Sequence, residues 1–104
     1  PPNYIHAQDS AHLFMCVVKA YDKGLSHFCN VHDSFGTLAA DSQTLAETIR
    51  ETFVEMYSNG CPLEDFKTSM LPILNDSEKT KLPEVPEKGD FDIEEVLKSE
   101  FFFA

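Results

Sequence analysis

Leu45, Ile49, Phe53, Met56 and Tyr57 recur at three- and four-residue spacing in the segment that follows Asp41-Ser42, while Glu47, Glu51 and Glu55 share another side. That period is an amphipathic helix, the strongest in the chain, and Asn59-Gly60 stops it. Its apolar face demands a covering layer, which the flanking segments must supply. A chain of 104 residues buries only somewhat over roughly 60% of its unfolded surface, so the core is small.

Upstream, Ala11, Phe14, Met15, Val18 and Tyr21 mark a second helical stripe over 10–21 that is expected to face the core, capped by Asp9 or Ser10 and ended by Gly24. Between the two helices lie Leu25 to Val31, then His32-Asp33-Ser34-Phe35-Gly36, then Thr37 to Ala40. Two short strands joined by a turn at 33–36 are the economical reading. Two strands alone are marginal, so the sheet is expected to take further strands from elsewhere. Downstream, Pro62 suits the first turn of a helix carrying Leu63, Phe66, Met70 and Leu74, which Pro72 kinks or ends near Leu71. Asn75 to Gly89 holds Pro83, Pro86 and seven charged residues and reads as an extended surface connection. Asp92 with Glu95 resembles a capping box opening a short turn before the terminal Phe101-Phe102-Phe103-Ala104. The fold class expected is α+β, helices flanking a short β-hairpin.

Eighteen acidic against eight basic residues leave a formal charge of -10, which argues against a basic surface that grips phosphate but not against metal-dependent nucleotide chemistry, where carboxylates are the tools. Cys16, Cys29 and Cys61 are odd in number and widely spaced, so structural disulfides are not expected and a reducing interior fits best. The apolar stretch Leu13–Val18 is far short of the ~20 residues that span a bilayer, so no membrane is expected as partner. The opening Pro1-Pro2, without Met, is read as the trimmed or cut start of a longer protein, with removal of Met by processing as the plainer alternative.

Two polar clusters can carry chemistry. His32-Asp33, at the tip of an apolar strand before a glycine-containing turn, lets the Asp33 carboxylate leave the core and meet a hard cation such as Mg²⁺; the plainer reading is an Asp that bonds its own turn. Pro2 to His12 combines His6 with a helix start whose free N–H groups suit a phosphate or base edge; the plainer reading there is a capped helix. His12 and Cys16 stand four apart, a pair that suits zinc only with a second pair, and none answers it.

These clusters, in this order and spacing, closely resemble the C-terminal end of the single-subunit DNA-directed RNA polymerases of T7-like bacteriophages, relatives of the mitochondrial enzymes. The resemblance runs through Pro2-Asn3-Tyr4-Ile5-His6, Asp9-Ser10-Ala11-His12, His32 to Gly36, Arg50-Glu51-Thr52-Phe53, Leu82-Pro83, Pro86 with Lys88-Gly89, and the closing Phe101 to Ala104. It implies that 1–74 is part of the palm and fingers region, with the hairpin as palm motif C, and that 75–104 is an acidic connection and foot-like tail. It implies further that Asp33 is one of two catalytic aspartates holding two Mg²⁺ ions, the other lying outside this chain. His32 then supports the primer end, and His6 touches the minor-groove side of the template–product pair. Phe101, Phe102, Phe103 and Ala104 fold back beneath the catalytic centre.

The function so implied is template-directed nucleotidyl transfer to the RNA 3'-hydroxyl by two-metal catalysis in a full enzyme, with this chain alone inactive. Its partners are the remainder of the polymerase, DNA template, RNA product and NTPs, in the cytoplasm of a phage-infected cell or, alternatively, in a mitochondrion. The rival from another class is a small acidic protein-interaction domain in which Asp33 only shapes a turn; a metal-dependent phosphohydrolase is a third.

Overall fold

The period that follows Asp41 becomes a 17-residue helix, on which the first helix and the C-terminal 3-10 helix pack. The computed structural model describes residues 2–102. In chain order these form α1 (Pro2–Asp22), β1 (Cys29–Val31), β2 (Ser34–Gly36), a 3-10 turn (Ala39–Asp41), α2 (Ser42–Ser58), α3 (Pro62–Met70), α4 (Asp76–Lys79) and a C-terminal 3-10 helix (Ile93–Lys98). The class is α+β, a short antiparallel hairpin flanked by helices. Both α1 and the C-terminal 3-10 helix pack on α2. Cys16, Ala20, Leu25, Leu45 and Ile49 form the core, with Phe28, Phe35 and Phe102 packed against it.

α1 departs from expectation in two respects. It begins at Pro2 rather than at Asp9 or Ser10, since proline is harmless in a first helical turn. Tertiary contacts hold the added turns: the Tyr4 hydroxyl donates to the Pro62 carbonyl, and its ring stands 4.7 Å from that of Phe66. The buried face also differs, for it is His12, Cys16 and Ala20 that turn inward, whereas Phe14, Val18 and Tyr21 are 67%, 62% and 67% exposed. From Leu13 to Tyr21 Lys19 is the single charged residue, so two opposite faces were equally apolar and periodicity could not choose between them.

Polar matching to α2 makes the choice. Thr48 and Thr52 are fully buried on α2 because each hydroxyl donates to the carbonyl four residues back, at 2.7 and 2.8 Å. With its proton committed to Thr48, Thr52 Oγ1 accepts from the Cys16 thiol at 2.8 Å. His12 Nε2 lies 3.1 Å from the Ile49 carbonyl, which can only accept, so this nitrogen carries the hydrogen. Burial pushes the Cys16 thiol up, against smaller opposing effects of Thr52 and Lys19, and therefore keeps it a protonated donor. Lys19 with Glu55 and Lys23 with Glu51, each at 2.8 Å, flank this seam at the surface.

The hairpin turns two residues earlier than the glycine suggested. Val31 pairs with Ser34, Asn30 with Phe35 and Cys29 with Gly36, leaving His32-Asp33 as the whole loop. Gly36 suits the strand because a Cβ there would crowd the Cys29 carbonyl at 3.0 Å. Thr37 to Ala40 is not a strand, and instead runs into the 3-10 turn before α2. Within the expected extended connection, Asn75 and Glu78 form a reciprocal capping box that starts α4. Asp92 caps the C-terminal 3-10 helix through the Glu94 amide.

The result is long and thin, 57 × 27 × 21 Å, with a radius of gyration of 16.9 Å against about 13 Å for a compact domain of this length. Its accessible surface is 7749 Å², where a self-contained fold of the same mass exposes about 5,900 Å².

Candidate functional site

His32 and Asp33 reach solvent because they are the loop of a hairpin whose arms are only three residues each. His32 adopts φ 54°, the left-handed region at the first loop position, where glycine is the usual occupant of a two-residue turn. Both residues are exposed.

The long start of α1 brings the second polar cluster to the same place. His6, Asp9 and Ser10, with Leu13 and Phe14 as an apolar wall, line an open cleft of about 560 Å³ whose far side is His32 and Asp33. Residues that are 26 and 27 positions apart, such as His6 with His32 and Asp33, thus share one cleft. A helix starting at Asp9 could not have achieved this, since His6 owes its place to the first turns of α1.

Behind the cleft is a second, small cavity of about 40 Å³ between Asp9, His12, Asp33, Phe35, Phe53 and Tyr57. Asp9 and Asp33 line both spaces. The Tyr57 phenol is pushed up by burial, then by the Asp9 charge and Tyr4. Burial also lowers His12, with the Ile49 hydrogen bond and Asp9 acting in the opposite sense. The floor of the site is therefore the buried His12 imidazole with half-buried aromatic rings, set beside the Asp9 and Asp33 carboxylates.

The chain's end is tied to that floor. Phe102 meets Phe53 edge-on, centroids 4.8 Å apart, and Phe53 stands 5.5 Å from His12 and 4.8 Å from Tyr57. Arg50 holds the segment leading to it, donating to the Ser99 and Glu100 carbonyls at 2.7 and 3.0 Å. Phe101 is 84% exposed; Phe103 and Ala104, named with it as tail residues, lie outside the described residues.

As a cation donor Asp33 has the right chemistry, a hard carboxylate oxygen on a short loop facing an open cleft. Among the described residues, however, no group of three His, Cys, Asp or Glu side chains could hold a metal ion. The described residues thus offer carboxylates at the cleft and not a complete ligand shell. His12 and Cys16, 3.4 Å apart, are spent on Thr52 and Ile49. Among the described residues, no helix is long and apolar enough to cross a membrane.

Sequence reasoning singled out His6, His32, Asp33 and Phe102 but overlooked Asp9 as a cleft residue, Tyr57 as a wall and Arg50 as a clamp. The signal for Asp9 was its three-residue spacing from His6, which shares a face once both are helical.

Comparison with known proteins gives a consistent result. The family described as DNA-dependent RNA polymerase matches residues 1–79. The chain is 42% identical over 104 residues to the DNA-directed RNA polymerase of Enterobacteria phage T3, covering 99% of this chain and 12% of that protein. It is 40% identical over 104 residues to T7 RNA polymerase of Escherichia phage T7, with the same coverage. A chloroplastic DNA-directed RNA polymerase 3 of Nicotiana sylvestris is 43% identical over 103 residues, 99% of this chain and 10% of that protein. The chain thus spans about an eighth or less of the length of these relatives.

Proposed function

Because the chain belongs to the DNA-dependent RNA polymerase family, in its single-subunit, phage-like branch, we propose that it supplies one half of a nucleotidyl-transfer site within a longer polymerase. The observation that carries this reading is the convergence of His6, His32 and Asp33, from two separate segments, on one open cleft. Residues 1–74 are assigned to the palm and fingers region with the hairpin as motif C, and 75–104 to an acidic connection and foot-like tail.

Asp33 is the donor for Mg²⁺, held out of the core by the tight His32-Asp33 loop; the other carboxylate comes from outside the chain. Two bound Mg²⁺ ions supply Lewis-acid chemistry at the 3'-hydroxyl and the phosphates. His32, beside Asp33 on the loop, supports the RNA 3' end rather than taking its proton. His6, across the cleft on α1, is placed to meet the minor-groove edge of the new pair, whose acceptors are shared by correct pairs and carry little sequence information. Phe102 braces the floor through Phe53 and Tyr57, so that the hairpin tip has a rigid backing. DNA template, RNA and NTPs bind mainly through the rest of the enzyme, since this part carries net charge -10. The relatives come from phages and plant organelles; a phage-infected cytoplasm is the proposed setting, an organelle such as the mitochondrion the alternative.

The test is Asp33→Asn in the assembled polymerase with primed template, NTPs and Mg²⁺. Loss of synthesis with the protein still folded is expected. Near-normal synthesis would remove Asp33 from the metal site, and steady extension by the 104-residue chain alone would refute its dependence on the remainder.

A further inference from the structure

The outward face of α1 is uncharged from end to end. At 100° per residue, Asn3, Ala7, Ala11, Phe14, Val18 and Tyr21 lie within an arc of about 80°, and all six are exposed. This stripe is directly opposite the buried His12, Cys16 and Ala20. Single exposed apolar residues are ordinary, but from Ala7 to Tyr21 this row extends about 21 Å along the helix in a chain where 25% of residues are charged. Contiguous patches of that kind mark surfaces that another body covers.

We propose that this stripe is the docking face for the part of the polymerase that lies outside the present chain. The inference rests on the polymerase reading above and adds to it a place of contact. Three observations select that occupant. The relatives are roughly eight to ten times longer than this chain, so the covering mass exists in the family. The chain exposes about 1,900 Å² more than a self-contained fold of its mass, and one side of a standard protein interface takes about 800 Å²; the excess is ample. The stripe is also continuous with the candidate site, because Phe14 belongs to both the stripe and the wall of the Asp33 cleft. A body seated on α1 therefore reaches the edge of that cleft and can present its own groups there. α1 becomes a helix buried on two opposite faces, one against α2 and one against the docked part. That explains why its sequence from Leu13 to Tyr21 is apolar nearly all round, and why periodicity assigned the outer stripe to a core.

Cysteine labelling of the intact polymerase tests this, using Ala11→Cys and Val18→Cys, each read by peptide mass spectrometry. Both thiols are expected to react at least roughly tenfold more slowly in the folded enzyme than in the urea-denatured one, as buried positions do. Labelling as fast as in the denatured enzyme would overturn the proposal, and Ala11→Cys keeps the test valid if Val18→Cys disturbs folding. Protection that disappears on dilution, together with a dimer in sedimentation, would assign the stripe to a second copy and also overturn it. Protected thiols in an enzyme indifferent to Asp33→Asn would leave the docking face standing while removing the catalytic assignment, so the two failures are distinguishable.

Discussion

Arg50 Nε donates to the Ser99 carbonyl at 2.7 Å across 49 residues of chain, which makes one α2 side chain the clamp of the C-terminal segment. Its other nitrogens bind the Glu100 carbonyl and, within α2, the Ala46 carbonyl.

Lysine cannot reproduce that planar fork. Arg50→Lys is expected to destabilise by about 1–2 kcal/mol, the net value of charge-assisted bonds to backbone, and to free the end carrying Phe102. Limited proteolysis should then cut after the 3-10 helix several times faster than in the parent. An unchanged cleavage rate would show that Phe102 on Phe53 holds the end without Arg50.

Thr52→Val keeps the shape of a fully buried side chain but deletes the oxygen that accepts from Cys16 and approaches His12 at 3.2 Å. A buried donor left without its acceptor costs about 1–2 kcal/mol. Thr48→Val, whose hydroxyl is bonded only to the carbonyl of Thr44, should cost a few tenths to about 1 kcal/mol. Urea midpoints at constant slope measure the difference; equal losses in the two variants would show that the Cys16–Thr52 contact adds nothing.

How much of this was legible in sequence depended on whether one pattern had one solution. α2 was readable because charge and apolar residues alternate with a single helical period, and the end of α3 near Leu71 followed from Pro72. α1 was misread in orientation because Leu13 to Tyr21 is apolar on both sides, and what separates the faces is the partner threonines on α2, which no local pattern announces. The hairpin was expected, but its turn was displaced because Gly36 was read as a turn residue when its need for a missing Cβ lies across the strand pair at Cys29. For the site, residue types pointed to Asp33 and His6 separately; their meeting in one cleft depended on the unpredicted first turns of α1. Asp9 was hidden by the same misplacement, having been given the work of a helix cap.

His12 predicts a pH dependence with a definite sign. Burial holds it below its ordinary value of 6.5, and the Ile49 bond and Asp9 offset this only in part. The unfolded chain protonates this residue near 6.5 while the folded protein resists, so the unfolded state binds more protons and stability falls as the pH drops from 6.5. Above that value the imidazole is neutral in both states and contributes no slope. Glu51 acts in a separate window: its hydrogen bond to Lys23 lowers it from 4.5, so its contribution is complete above 4.5 and is lost as the pH falls further. His12→Gln should flatten the stability profile between 6.5 and 4.5 and leave the lower limb in place. A slope in that interval undiminished by the substitution would show that His12 is not its source.

His32 carries the last prediction, because its positive φ of 54° sets stability against function at one residue. Left-handed backbone costs a non-glycine residue roughly 1 kcal/mol, and more for a β-branched one. His32→Gly should therefore leave stability unchanged or raise it by up to about 1 kcal/mol, while His32→Val should lower it by about 1–2 kcal/mol. If the side chain supports the RNA 3' end, the glycine variant of the assembled polymerase loses synthesis without losing stability. That combination would mean the loop tolerates an unfavourable backbone for the sake of an imidazole beside Asp33. A glycine variant with full synthesis would instead make His32 a turn residue and confine the chemistry of the hairpin to Asp33.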